Sequence, residues 1–417
     1  MKLIKKPITH ICAVILFIAL AIPPAALCYE EIGLDEALVQ FYKSNFDVVA
    51  SKYEIDKAYA DYVTAKLLPN PNLTVNYNNL AMSQWSTHRW DNTQLTVRVD
   101  QLIETGGKRA LRAGAASEIL EATRISHKDV IRNLLVGFYN LYYTLNLDAL
   151  NVEFAGDELN RYNRLLQVAE KRFNTGFLSS IDYTKLKVAK IDLENSHTNL
   201  SNQLLNDIDS FSLLLGSDVR RKPARVYVQD RHPTFVEADL FAIANENRHD
   251  LLSLLRQRKA AENNVSLAKA NRIPDFYIGG EYDSTGNPAT SGVGMGISVP
   301  LPIFNRFQGE IAKRTAEMQQ LDVQIAKTKR RIASDVHLAL NNYNAALKVF
   351  ESYRDNKDQM DALMLNSEKA FSLGGITVLE LLDTQKTYRD FITKYHQALI
   401  QSVLNGHLIK VYTGEIK

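Results

Sequence analysis

Glu380 and Asp383 stand three residues apart in a segment that reads as helix, so their carboxylates share one face. Carboxylates gathered in this way attract cations. Asp182 holds a comparable place earlier in the chain, with Lys185 three residues on. Little else in the sequence offers chemistry. His127, His197, His249, His337 and His396 are scattered, and no pair has ligand spacing on one helix face. Met360 and Met364 lie four apart, a spacing open to a soft metal but more often that of a packed helix face. Gly106-Gly107-Lys108 lacks the Gly-x4-Gly-Lys-Ser/Thr pattern of a phosphate loop. Titratable groups do not cluster as a hydrolase needs, so the expectation is no enzyme, no cofactor and no resident metal. The net charge of +2 over 417 residues also lacks the Lys/Arg excess that a nucleic-acid partner demands.

The elements that position these residues begin after an export signal. Lys2, Lys5 and Lys6 precede an apolar run at residues 11–22, too short to span a bilayer, and small residues follow at Ala25 and Ala26. Cleavage after Cys28 puts Ala26 and Cys28 at the two positions that must be small. Lipidation of Cys28 would ask for a small residue where Leu27 stands. The expected signal is 1–28. It removes or borders both cysteines, which leaves no disulfide scaffold.

The rest of the chain repeats itself. Glu170-Lys171-Arg172-Phe173-Asn174-Thr175-Gly176 reads against Glu368-Lys369-Ala370-Phe371-Ser372-Leu373-Gly374, and residues 97–102 read against 297–302. A period of about 200 residues marks a duplicated half-domain rather than a solenoid. The expected halves are 29–217 and 234–417, each ordered helix, two short strands, long helix, turn, helix. A polar linker at 218–233 joins them, with a strand-like run at 226–228. Proline-free stretches at about 107–147 and 311–350 carry apolar residues at alternating spacings of three and four, the coiled-coil pattern. Forty such residues make a rod of roughly 60 Å.

Four strands are predicted, at 73–80, 93–103, 276–283 and 292–299. Leu95, Val97 and Val99 alternate with Thr96, Arg98 and Asp100; Val293, Met295 and Ile297 alternate with Gly294, Gly296 and Ser298. This period of two suits a strand with one face in lipid and one in a wet lumen, and also a soluble sandwich with one face buried. A sheet in lipid must close, because every backbone group needs a partner. Four strands cannot close, since the smallest membrane barrels have about eight. A membrane sheet of this kind must be shared between copies: two would give eight strands with an interior filled by side chains, and three would give twelve around an open lumen.

Together the duplicated helix–hairpin–helix order and the two Phe-x-x-Gly turns resemble the TolC family of outer-membrane efflux channels across essentially the whole mature chain. Two segments are similar to its heavy-metal, cobalt–zinc–cadmium branch: Gln101-Leu102-Ile103-Glu104-Thr105-Gly106-Gly107-Lys108-Arg109 and Pro300-Leu301-Pro302-Ile303-Phe304-Asn305-Arg306-Phe307-Gln308-Gly309. The resemblance implies a mainly α protomer in a homotrimer, with a twelve-stranded β-barrel in the outer membrane of a Gram-negative bacterium and a long α-helical barrel in the periplasm. It implies two protein partners, a periplasmic adaptor (membrane fusion protein) and an inner-membrane pump of the RND type. Gly106, Gly107, Pro300 and Pro302 read as strand–helix joints, with Lys108, Arg109 and Arg306 reaching for the periplasmic lipid boundary.

The turns after Phe173 and Phe371 then become the periplasmic tips. Arg172, Phe173, Gly176, Phe177, Leu178 and Ser179, and in the second copy Phe371, Gly374, Gly375, Ile376 and Thr377, are the expected adaptor contacts. In the family, acidic pore residues lie six and nine positions after the second glycine, which assigns a gate to Glu380 and Asp383 and, in the first copy, to Asp182. Crowded in a threefold ring, some of these would titrate above the model values of about 4. They could equally be solvated helix charges. Some relatives carry an arginine where Ile376 stands, so that tether is in doubt here. The expected cargo is heavy-metal cations. A drug-efflux or protein-secretion channel would share the fold, and a periplasmic coiled-coil scaffold would leave the strands unexplained. Mass measurement of the detergent-purified protein should return three copies. A stable monomer with a folded barrel would be incompatible with the shared sheet.

Overall fold

The computed structural model describes residues 30–78, 94–225, 233–284 and 291–415. The expected signal, Cys28 and the run at 226–228 lie outside the described residues. Strand β1 (Glu30–Ile32) leads into helices α1 (Leu34–Ser44) and α2 (Phe46–Lys66). A hairpin of β2 (Asn72–Asn78) and β3 (Gln94–Ile103) follows, then α3 (Lys108–Asn174), a tight turn and α4 (Ser180–Leu214). After β4 (Arg221–Pro223) the order recurs as α5 (Glu237–Asn247), α6 (His249–Ala270), β5 (Phe276–Ser284), β6 (Gly292–Ser298), α7 (Gln308–Leu373) and α8 (Val378–Thr413).

The two long helices exceed the forty residues expected. α3 has 67 residues and α7 has 66, which makes rods of roughly 100 Å. The apolar spacing loosens past Leu147 and Phe350, but no proline interrupts either segment, so the helices continue to the turns. A second difference is β4. Within the expected linker it pairs in parallel with β1, Ile32 opposite Pro223. That contact joins segments too far apart for a sequence pattern to register.

The main core lies at mid-height. Phe41, Phe138, Tyr142 and Phe211 pack with Phe138 at the centre, at ring-centroid distances of 5.1, 6.1 and 5.9 Å from it. Leu135, Leu145, Ile208 and Leu404 fill the surround, so α1, α3, α4 and α8 share one cluster. Asn45 fixes the α1–α2 corner. Its side-chain oxygen accepts from the Asp47 and Val48 amides, and its amide donates to the Leu214 carbonyl at 2.8 Å. In the second half the fully buried Arg248 donates to Asp250 at 2.7 and 3.0 Å, to Asp335 at 3.0 Å and to the Tyr412 carbonyl at 3.1 Å. Stripping one partner from such a buried charge costs about 3–5 kcal/mol.

All four long strands form one antiparallel sheet, in the order β2-β3-β5-β6. Bounds agree with the expectation to within a residue where the chain is described; residues 79, 80 and 93 lie outside. The register sorts the side chains cleanly. Val75, Val97, Tyr282 and Val293 fall opposite one another across the sheet, as do Thr74, Arg98, Glu281 and Gly294. One face is therefore mainly apolar and exposed, with Gln101 and Ser284 as its polar members and Val293 87% and Met295 94% exposed. The other is polar: Arg98 pairs with Asp100 at 2.8 Å and Glu281 at 3.3 Å, and Thr96 bonds Asp283.

The joints differ from expectation at one residue. Gly106 and Gly107 both adopt positive φ, at 63° and 71°, and turn the chain from β3 into α3. Lys108 does not reach outward. It is buried, with its ammonium donating to the Ile273 carbonyl at 2.6 Å and to Asp275 at 2.7 Å. Asp275 also accepts from the Thr105 amide at 2.7 Å, so the first joint is pinned to the start of β5. Placing charge on the apolar face costs about 2–4 kcal/mol where that face meets lipid. Val97→Arg should therefore abolish heat-modifiable trimers in detergent gels while Arg98→Gln preserves them. Equal tolerance would mean the register is off by one.

Candidate functional site

The two turns at the far ends of the long helices are built alike. α3 stops at Gly176, whose φ of 79° lets the Phe177 amide reach back to the Arg172 carbonyl at 2.8 Å. α7 stops at Gly374, φ 83°, with the Gly375 amide on the Ala370 carbonyl at 2.8 Å. Each turn is followed at once by a capped helix. Ser179 accepts from the Asp182 amide, and Thr377 accepts from the Glu380 amide while the Glu380 carboxylate accepts from the Thr377 amide at 2.8 Å.

The turns touch. Tyr162, Leu165, Ala169, Leu186, Phe371, Val378 and Leu381 form one apolar cluster drawn from both halves. Phe371 is 1% exposed at its centre. Arg172 crosses from the first turn to the second: its guanidinium donates to the Phe371 carbonyl at 2.5 Å and lies over the Phe371 ring, 5.0 Å from the centroid. A side chain at Gly374 would also crowd this guanidinium. Between the turns lies an open cavity of about 320 Å³ lined by Arg172, Phe177, Leu178, Ser179, Asp182, Phe371, Gly374, Gly375, Ile376, Thr377, Val378 and Glu380. Nearly all the residues singled out at the tips thus converge on one surface. Phe173 turns aside to stack on Tyr183 at 4.9 Å. Phe177 is exposed, and Ile376 packs on the apolar cluster.

The carboxylates have a local task that the sequence reading missed. Asp182 and Glu380 both stand three residues after a capping hydroxyl, which Ser-x-x-Asp and Thr-x-x-Glu spell out in the sequence. The bonds also set their charge state. The Thr377 amide and hydroxyl hold the Glu380 carboxyl below the usual range, and the Ser179 hydroxyl together with Lys185 does the same for Asp182. Within one protomer the shift is thus opposite to that expected of a crowded ring. Lys185 pairs with Asp182 at 3.3 Å, so the first copy offers little free negative charge. Glu380 and Asp383 in the second copy are exposed. Two further links between the halves had no sequence signal: Arg389 on Glu158 at 2.9 Å, and His396 against Asn151 at 3.1 Å. Among the described residues no group of three or more His, Cys, Asp or Glu could hold a metal ion. Arg109, Pro300 and Arg306 lie exposed at the joints, with Pro302 half-buried.

The family profile described as outer membrane efflux protein matches residues 37–217 and 240–398. The cobalt-zinc-cadmium resistance protein CzcC of Cupriavidus metallidurans is 22% identical over 365 residues, covering 85% of this chain and 83% of that one. The outer membrane protein TolC of Vibrio cholerae is 23% identical over 355 residues, covering 78% and 77%. The structure also superposes on CusC, described in connection with folding and transmembrane channel formation, with a TM-score of 0.77 over 91% of both chains at 15% identity. The tip geometry carries its own test. Gly374→Val forces a β-branched residue to positive φ, at a cost on the order of 1–3 kcal/mol. Amide exchange at residues 371–380 should accelerate about 5- to 150-fold by that measure, with the mid-height core unchanged. Unaltered exchange would mean the turn does not depend on the left-handed glycine.

Proposed function

The chain belongs to the outer membrane efflux protein family, and from that premise we propose that it is the outer-membrane channel of a tripartite system that expels heavy-metal cations. The protein is an efflux channel of the outer membrane that extends into the periplasm. The observation that supports a shared barrel is the four-stranded sheet with β2 and β6 as its edges and one predominantly apolar face. Three copies pairing β6 of one with β2 of the next would close twelve strands around a lumen lined by Arg98, Asp100, Glu281 and Asp283. α3, α4, α7 and α8 would supply the periplasmic tunnel.

The cargo reading rests on the similarity to a cobalt-zinc-cadmium resistance protein, and the exposed pair Glu380 and Asp383 supports it. Threefold repetition would bring six carboxylates to the tip constriction, a ring that favours cations. The channel needs no tight metal site, because tight binding slows release. At the same tips, the cavity between the two turns and the exposed Phe177 are the surfaces we assign to the adaptor, with an RND-type pump beyond it. Drug or protein export through the same fold is the competing reading.

Two measurements decide these points. Cells lacking this channel should accumulate cobalt, zinc or cadmium when challenged, by elemental mass spectrometry, and re-expression should clear the metal; unchanged metal content with altered drug tolerance would move the cargo to another class. In planar bilayers, Glu380→Gln with Asp383→Asn should weaken cation selectivity and block by multivalent cations. Glutamine still fills the capping box, so the double variant removes charge without unmaking the turn. Wild-type selectivity in that variant would take these carboxylates out of the pore.

A further inference from the structure

β2 begins, β3 ends, β5 begins and β6 ends at the same edge of the sheet, since Asn72 lies opposite Asp100, Ile103 opposite Phe276 and Tyr277 opposite Ser298. All four strand–helix joints therefore ring one level of the protomer. Each joint carries the same pair of features. Leu68 is exposed beside Lys66, Ile103 is exposed ahead of Arg109, Ile273 beside Arg272, and Phe304, 92% exposed, beside Arg306. In every case the cation lies on the helix side of the apolar residue. The four cations are all exposed, and none of them forms an ion pair among the described residues, in contrast to the inward-held Lys108. Ile103 lies on the apolar face of the sheet, and beyond β6 the exposed apolar residues run on through Leu301 and Ile303 to Phe304.

We propose that these joints form a girdle that binds anionic phospholipid headgroups of the membrane leaflet facing the helices. The inference rests on the channel reading above, which supplies the bilayer, and adds a lipid selectivity. Apolar side chains at this level would sit at the acyl boundary, and a cation one step toward the helices would meet the headgroup phosphates. A zwitterionic headgroup satisfies the apolar half of this arrangement, but its own ammonium group offsets its phosphate, so an anionic headgroup leaves the more net negative charge for these cations. Four cations in each protomer make twelve in a trimer, spaced around the whole circumference rather than gathered in one pocket. The ligand is therefore a shell of bilayer lipid and not a single bound molecule.

The test uses the full-length trimer in nanodiscs of phosphatidylcholine alone or with phosphatidylglycerol, with native mass spectrometry of the lipids retained on release. Wild type should retain phosphatidylglycerol above its share of the bilayer and resist heat dissociation better in its presence. A variant combining Lys66→Gln, Arg109→Gln, Arg272→Gln and Arg306→Gln should lose the enrichment, with about fivefold less preference for each charge removed near the surface. Arg306→Lys should keep it. Equal retention of both lipids by wild type, enrichment that survives in the quadruple variant, or equal protection by inorganic phosphate in pure phosphatidylcholine would each overturn the girdle. Absence of a heat-modifiable trimer in both bilayers would instead defeat the channel reading, so the two failures are distinct.

Discussion

A sheet in lipid cannot keep a bare edge. Each unpaired amide or carbonyl in hydrocarbon costs several kcal/mol, and no side-chain choice on the strand removes that cost. Among the described residues the protomer has two such edges, β2 and β6, on either side of its four-stranded sheet. Much of the architecture can be understood as preparation for closure elsewhere. β3 pairs with β5 and so fuses the two repeats into one four-stranded wall. The node of Thr105, Lys108 and Asp275 fixes where the first helix departs relative to the second hairpin. With all four joints on one level, the helices leave in one direction and a tunnel can follow the barrel without a break.

Below the sheet, different forces hold the rods. Buried residues come in separate clusters along the rods: large ones at mid-height and at the tips, and smaller ones between them, where Phe350 packs with Ala398 and Leu399 and Met364 with Tyr388 and Ile392. Beside the smaller clusters, polar contacts link α3 to α8: Glu158 to Arg389, and Asn151 to His396. Burial lowers the His396 pKa to about 4, so this contact stays uncharged across the neutral range. Arg248, buried between Asp250 and Asp335, ties the end of α8 to the α5–α6 corner and to α7 through the Tyr412 carbonyl. The rods are thus anchored by large clusters at two heights and joined by small apolar clusters and hydrogen bonds in between. Such contacts carry less free energy than a packed core and can be remade in another arrangement.

What was legible in the sequence was whatever has a short period. The alternation of Val97 with Arg98 placed the strands and their faces, and the spacing of three and four announced the coiled helices. The Phe-x-x-Gly pair announced the turns. What escaped was of two kinds. Contacts between distant segments, such as Ile32 with Pro223 or Arg172 with the Phe371 carbonyl, leave no periodic trace. Residues with two plausible roles were read in the wider one first. Lys108 looks like a boundary cation and is a buried strut, and Glu380 looks like a pore charge and is also a helix cap. The capping pattern was present locally and could have been recognised; the partner of Lys108 lies 167 positions away and could not.

The two tips are copies, yet only one of them carries the crossing arginine. Where the first turn has Arg172, the second has Ala370 at the matching place. The contact between the turns inside a protomer is therefore tied by a guanidinium, and an α7–α8 turn facing the next copy has no equivalent residue to offer. A ring of six near-identical hairpins would in this way have seams of two kinds, alternating around the circumference. Widening such a ring would begin at the three untied seams, so the aperture would part as three paired staves rather than as an even iris. A sixfold likeness of hairpins would thereby become a threefold mechanical pattern, set by whether a guanidinium stands at position 172 or its match at 370.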